Sequence, residues 1–267
     1  MKKKLWFFLL MLLVLIGLSV CTKEEPLLKV EASALETADD KESDTTEVEP
    51  LADVAQIIFN PYLTYDSVSD IDGNIYRTIQ IDTQTWMAEN LKTTRFNDGS
   101  NMTAGAYHWY NNDPVSFKDT YGALYNWYAV NTGKLCPTGW HVPSDEEWKQ
   151  LDMALGMSRA SADTSYADFD VYGMGFRGTD QGTQMKATSG WSLWEGRDGN
   201  GTNTSGFSAL PAGDTGWDGI YECAGVSTSY WCFGEPPIAR TLGSEESKVS
   251  RAVYYKHIGF SVRCLKD

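Results

Sequence analysis

The chain has 267 residues and a formal charge of −14, which becomes −17 if the three lysines at positions 2–4 are removed with a leader. A surface this acidic repels phosphate backbones and anionic lipid headgroups, so nucleic acid is excluded as a partner. Once leader and tether are set aside, about 210 residues remain, enough for one well-buried domain and a squeeze for two.

Residues 1–20 have the three parts of a secretory signal: Lys2, Lys3 and Lys4, an apolar run from Leu5 to Leu18, and small residues before Cys21. The apolar run spans about 21 Å, short of a ~30 Å hydrocarbon core, so it reads as a signal peptide and not as a permanent membrane span. Leu18-Ser19-Val20-Cys21 resembles a lipobox, with Val20 where Gly or Ala is usual. Such a motif implies cleavage before Cys21 and lipid on its thiol. Thr22-Lys23-Glu24-Glu25 resembles the Lys-acid-acid export signal of surface lipoproteins of Bacteroidota, and it implies an outer-membrane lipoprotein exposed at the cell surface. The membrane is thus an expected partner through the lipid anchor.

Between Lys23 and Asp53 there are eleven acidic residues, three lysines and no aromatic residue. Such a stretch buries too little apolar surface to offset its ordering entropy, and residues 21–55 read as a disordered, self-repelling tether. Asp44-Thr45-Thr46 within it, and Asp66-Ser67-Val68 beyond it, fit a short O-glycosylation pattern. Nine of the ten tryptophans and all fourteen tyrosines follow residue 60, so a folded domain is expected over residues 56–267.

In that domain, Asp72-Gly73 marks a tight turn before a strand that alternates Ile75, Arg77, Ile79 and Ile81 against Tyr76, Thr78 and Gln80. Thr85-Trp86-Met87-Ala88 resumes the extended run after Asp82-Thr83-Gln84, which predicts an opening β-hairpin. Leu124, Trp127 and Tyr128 at i, i+3 and i+4 predict a short helix with an inward aromatic face. Ser144 followed by Glu147 is a capping box that predicts a helix to about Leu155, ending at Gly156, with Trp148, Leu151 and Leu155 buried and Met153 flanking. The chain from Tyr172 to Gly234, rich in Gly, Asn, Asp, Ser and Thr, reads as a long looped region with short strands. Phe260, Val262 and Cys264, alternating with Ser261 and Arg263, predict a terminal strand.

Apart from Cys21 there are four cysteines, Cys136, Cys223, Cys232 and Cys264, an even number in an exported chain and without the Cys-x-x-Cys spacing of a zinc site. Three pairings are open. A Cys136–Cys264 bridge would close a long loop and contribute about 5 kcal/mol, and a Cys223–Cys232 bridge a short loop and about 3 kcal/mol, in the chain-entropy account.

Six ordered blocks resemble the Fibrobacter succinogenes major paralogous domain family. They are Asp70-Ile71-Asp72-Gly73-Asn74, Thr85 to Lys92, Tyr121 to Trp127, Cys136 to Pro143, Ser205 to Gly213, and Gly259 to Cys264. That family is similar to C-type-lectin-like folds and, more distantly, to formylglycine-generating enzymes. The resemblance implies an α+β fold of short antiparallel strands with one or two helices and a long looped region, stapled by disulfides. It implies Cys136 paired with Cys264. Where many members of the family carry a Trp-Ser-Ser-Thr run, this chain has Gly225 to Cys232, with Cys223 and Cys232 around it, so a local Cys223–Cys232 staple is expected.

The chemistry of an enzyme is thinly represented. His108, His141 and His257 are scattered without a nucleophile–base signature, and no catalytic residue is expected. Glu235-Pro236-Pro237 is similar to the Glu-Pro-Asn calcium and sugar motif of C-type lectins, but without its Asn, and reads as a loop. Asp198, Asn200 and Asn203 form an oxygen-rich set that suits Ca²⁺, in a stretch that a tight turn explains equally. Trp191, Trp194 and Trp217, set among glycines and polar residues, are the candidates for exposed sugar-stacking rings, with Asn200 beside them. These readings lead to a non-catalytic surface domain binding a glycan or a protein. The alternatives are an assembly subunit of a surface complex and an enzyme related to formylglycine-generating enzymes.

Overall fold

The Asp-Gly turn and the alternation after it build the first sheet. Asp70 accepts bonds from the backbone N–H groups of Asp72 and Asn74, and Gly73 takes a φ of 81°, which closes the turn between β1 (Asp66–Ser69) and β2 (Ile75–Ile81). A second reversal at Asp82 pairs β2 with β3 (Gln84–Met87). This computed structural model describes residues 57–164, 175–216 and 218–267, all within the unit Val54–Asp267. The leader, Cys21, the acidic tether and Trp217 lie outside the described residues.

The strand's two faces differ from the simple alternation. Tyr76 and Thr78 are buried and Ile75 is 66% exposed, while further along Ile79 and Ile81 are buried. The two ends of β2 feed different clusters: Tyr76 packs with Met87, Leu91 and Tyr125, and Ile79 and Ile81 pack with Trp86, Trp148 and Phe207. The Tyr76 hydroxyl is satisfied by Asp70 and by Lys92 N–H, so a phenol outcompetes isoleucine for the inner position.

Next come β4 (Tyr107–His108), a 3₁₀ turn at Tyr110–Asn112, α1 (Pro114–Tyr121), β5 (Leu124–Tyr125) and α2 (Trp127–Val130). The expected helix over Leu124–Tyr128 is cut short because Leu124 is drawn into pairing with His108, and Tyr128 is 58% exposed while Trp127 is buried. Helix α1 starts at an Asp113 cap with Pro114 in its first turn.

After β6 (Trp140–His141), α3 (Asp145–Ala154) forms with both bonds of the Ser144–Glu147 capping box. It buries Trp148 and Leu151, each contributing roughly 1.5–3 kcal/mol or more. Asp145, at its first turn, receives Arg240 at 2.8 Å and Arg251 at 2.5 Å. Burial alone would raise the Asp145 carboxyl, but the two arginines hold it at about 2.

The remaining elements are α4 (Arg159–Ala162), β7 (Gly175–Arg177), α5 (Gln181–Met185), β8 (Ala212–Thr215), β9 (Tyr221–Ala224), β10 (Ser227–Trp231), β11 (Ile238–Gly243), β12 (Val249–Val253) and β13 (Leu265–Lys266). The larger sheet runs β7-β12-β11-β10-β8-β9, the first β1-β2-β3-β13-β6, and β4 pairs with β5. The region expected to be a long loop with short strands has both, in separate parts. Residues 186–211 lie between α5 and β8 without a helix or strand, whereas residues 212–231 supply three strands of the larger sheet. The fold is α+β with strands predominating, and the helices are short and more numerous than the one or two expected.

The C-terminal segment is a seam between the sheets. Its backbone exchanges bonds with Tyr125, Ser229 and Trp231 through Phe260 and Ser261, then with Leu91 and Met87 through Val262 and Cys264. Regular strand is confined to Leu265–Lys266, because a segment that changes partners every residue or two cannot hold one ladder. Phe260, Val262 and Cys264 are buried as the alternation predicts, but so are Ser261 and Arg263. Cys264 is bonded to Cys136 with a Cα–Cα distance of 5.9 Å and a sequence separation of 128.

The expected Cys223–Cys232 staple does not form: Cys232 is a free, buried thiol. Strand β8 lies between β9 and β10, which separates the two chains by roughly 9.6 Å, and Cys232 lies a further ~13 Å along β10 from the level of Cys223. Disulfide geometry requires Cα atoms within about 7 Å.

Candidate ligand-binding cleft

The cleft is made by two tight reversals that meet over α5. The first is Trp194-Glu195-Gly196-Arg197, in which Trp194 and Arg197 exchange both backbone bonds at 2.9 and 2.8 Å. Both central residues have positive φ, 48° at Glu195 and 75° at Gly196, the conformation that a two-residue hairpin demands. Glycine adopts it freely, and Glu195 does so at a cost of about 1 kcal/mol. The second reversal is the β11–β12 turn, Gly243 to Ser247. Gly199 lets the two approach: a Cβ there would meet Ser192 O and would lie 2.7 Å from Ser244 Cβ.

Between them lies a cleft of about 170 Å³ lined by Lys186, Trp194, Asp198, Asn200, Ser244 and Glu245, with Thr183, Arg197, Glu246 and Ser247 around it. Lys186 forms the floor and is 3% exposed, with Nζ donating to Gly243 O at 2.9 Å and Glu246 O at 3.0 Å. Burial brings its ammonium down to about 8, against the opposing pull of Glu245, Asp198 and Glu246. Ser244 is 6% exposed, and its Oγ has no hydrogen-bond partner. Glu245 Oε2 is also buried and without one. Each such atom forgoes its water without receiving a protein bond, at a cost of about 1–3 kcal/mol, and more for a charged group.

The sequence candidates divide sharply. Trp194 is half-buried on the cleft wall and Asn200 is in the lining. Trp191 is not exposed. Its ring is 4% accessible inside the larger cluster, its Nε1 donates to Ala209 O at 3.0 Å, and Lys186 Nζ lies 5.1 Å from the ring centre. A loop tryptophan with a carbonyl in reach of its indole N–H is free to enter the core. Trp217 lies outside the described residues.

The oxygen set of Asp198, Asn200 and Asn203 serves the backbone instead. Asp198 accepts from Asn200 N–H and Asn200 from Trp191 N–H, while Asn203, 1% exposed with φ 49°, accepts from Ser208 N–H and donates to Ser208 Oγ. Asn203 is also outside the cleft lining, so the three do not form one coordination site. Among the described residues, no group of three or more His, Cys, Asp or Glu is placed to hold a metal ion.

The histidines are dispersed in space as in sequence. His108 meets the edge of Tyr221, His257 stacks on Tyr255, and His141 bridges Glu147 at 2.9 Å and Asp267 at 2.6 Å. Sequence reasoning missed Lys186, Ser244 and Glu245. The pattern Gly243-Ser244-Glu245-Glu246-Ser247 reads only as a polar turn, and nothing local tells that it faces a tryptophan loop almost fifty residues upstream.

The family model for the Fibrobacter succinogenes major domain matches residues 79–266. The chain belongs to this family. The match covers both sheets from within β2 to the last strand, so the cleft and the C-terminal seam both lie inside the family domain. No curated protein and no solved structure matches the chain.

Proposed function

We propose that this family member is a non-catalytic head, displayed at the outer surface by a lipid on Cys21 and an acidic tether, that binds carbohydrate in the Trp194 cleft. The observation that carries the reading is the pairing of a partly buried indole on the cleft wall with buried, unpartnered polar atoms on Ser244 and Glu245. Sugars present an apolar ring face together with hydroxyl donors and acceptors, so they meet both needs at once. The disulfide to the terminal segment and the short antiparallel strands support a lectin-like architecture as part of the same proposal. Cys232 offers little to an oxidase, since burial pushes its thiol up to about 12.

A glycan array followed by titration of the best glycan tests this, using the full chain and Trp194→Ala. Loss of at least tenfold in affinity, with unchanged thermal unfolding, is expected. An array with no bound glycan, or a variant that binds as well as the parent, overturns the site. A protein-docking role has one observation in its favour. His108, Tyr110, Phe117, Tyr121 and Tyr221 form a half-buried run of rings with neighbouring centroids 5.0–6.4 Å apart. Partner capture that survives Trp194→Ala would favour that second reading.

A further inference from the structure

Resting on the carbohydrate reading, we infer that the cleft selects an amino sugar with a free amine, whose ammonium pairs with Glu245 while its ring lies against Trp194. The inference comes from counting which polar atoms are already used. Lys186 commits two of its three N–H donors to Gly243 O and Glu246 O. Arg197, on the rim, is paired with Glu195 at 3.3 Å. Ser247 Oγ donates to Thr179 O, and Asn200 Oδ1 accepts from Trp191 N–H.

The lining atoms that are both buried and unpartnered are Ser244 Oγ and Glu245 Oε2, so the buried wall offers a hydroxyl and a carboxylate acceptor, while the unused N–H groups of Trp194, Asn200 and Arg197 are not buried. Glu245 makes no hydrogen bond and no ion pair among the described residues, and its buried Oε2 is one of the unpartnered atoms. Asp198 accepts one bond, on Oδ1 alone. Ser244 Oγ, nine-tenths buried, can donate or accept. Three carboxylates, Asp198, Glu245 and Glu246, line the cleft against two cations, one of them neutralised by Glu195. The field inside is negative, so an acidic sugar is repelled and a cationic donor is favoured over a neutral hydroxyl.

Room for the Glu245 carboxylate is provided by Gly243, where a Cβ would lie 3.0 Å from both carboxylate oxygens. The carboxylate is therefore folded back over its own turn, facing the cleft from the strand side, while Trp194 faces it from the opposite reversal. At about 170 Å³ the space suits a single ring better than a drug-sized ligand, whose sites begin at roughly 300 Å³.

The test is ligand-observed NMR titration of the full chain with four probes, glucosamine, glucose, N-acetylglucosamine and glucuronate, at a pH where the glucosamine amine is protonated. Glucosamine is expected to bind roughly tenfold or more tightly than glucose, the ratio of a charge-assisted bond to a neutral one. In Glu245→Gln the ratio should fall to near one. Trp194→Ala should weaken every probe that binds, and thermal unfolding of both variants checks the fold. If glucose and N-acetylglucosamine bind as well as glucosamine, and all depend on Trp194, the amine assignment is overturned while the sugar cleft stands. If glucosamine binding ignores both substitutions, or none of the probes binds, the cleft loses its role and the carbohydrate reading falls with it.

Discussion

Two buried polar regions of this domain are built on opposite principles. Along the C-terminal seam, Arg263 is 2% exposed, yet its guanidinium donates to Asn90 Oδ1 and to the carbonyls of Met87, Phe207 and Ser208 and stacks 4.4 Å from the centre of Phe207. In the Trp194 cleft, Ser244 Oγ and Glu245 Oε2 are as deeply buried and have nothing to bond. Satisfied buried polarity locks one conformation, whereas unsatisfied polarity beside a cleft leaves bonding capacity there unused. The contrast separates a part of the molecule that holds the fold from the part proposed above as the ligand site.

The sharpest way to break the comparison is Arg263→Leu. Five N–H donors vanish and four acceptors are stranded in the interior, so the loss is expected to be about 4 kcal/mol, read as a shifted urea midpoint. A loss under about 1 kcal/mol would mean that the seam is no better satisfied than the cleft. Next in size is Cys136→Ser with Cys264→Ser. The closed loop of 128 residues suggests up to about 5 kcal/mol from chain entropy, and measured losses for native bridges centre on roughly 3 kcal/mol. If the reduced and oxidised proteins unfold together, the neighbouring hydrogen bonds suffice without the bridge.

The smallest effect concerns the outer end of the seam. Burial lowers the His141 pKa, but its bonds to Asp267 and Glu147 outweigh burial and the net shift is upward. A raised folded value means that the contribution is fully present below the ordinary histidine value of 6.5 and fades as pH rises through the folded value. With the side chain 38% exposed, solvent screening should keep it below about 1 kcal/mol. Stability of the parent should therefore decline slightly through this window relative to His141→Gln. Parallel pH profiles of the two proteins would show that the clasp contributes nothing.

Much of the seam's neighbourhood was legible in the amino-acid pattern because it depends on short-range chemistry. Ser144 and Glu147 are three residues apart and complete their own box, and the apolar positions Trp148, Leu151 and Leu155 lie on one helical face. Asp113-Pro114 carried an equally local helix-start signal, and α1 could have been read from it. Other elements were decided at a distance. Leu124 fits a helical spacing with Trp127, yet pairing with His108 places it in a strand. Trp191 and Trp194 are three residues apart in the same polar loop, and only the position of Ala209 O and the core behind it sends one inward and leaves the other on the cleft wall.

What the sequence determined by itself, then, is the family, the acidic charge, the α+β character and the local turns and caps, because composition, hydrophobic period and hydrogen bonds a few residues apart are written in consecutive residues. Tertiary structure alone decided the partner of each buried polar atom. Arg263 found four acceptors from two distant segments, Cys232 was kept from Cys223 by an intervening strand, and the Gly243–Ser247 turn was brought to face Trp194. Satisfaction of a buried group depends on which segments the fold brings within about 3 Å, and that information belongs to no single stretch of chain.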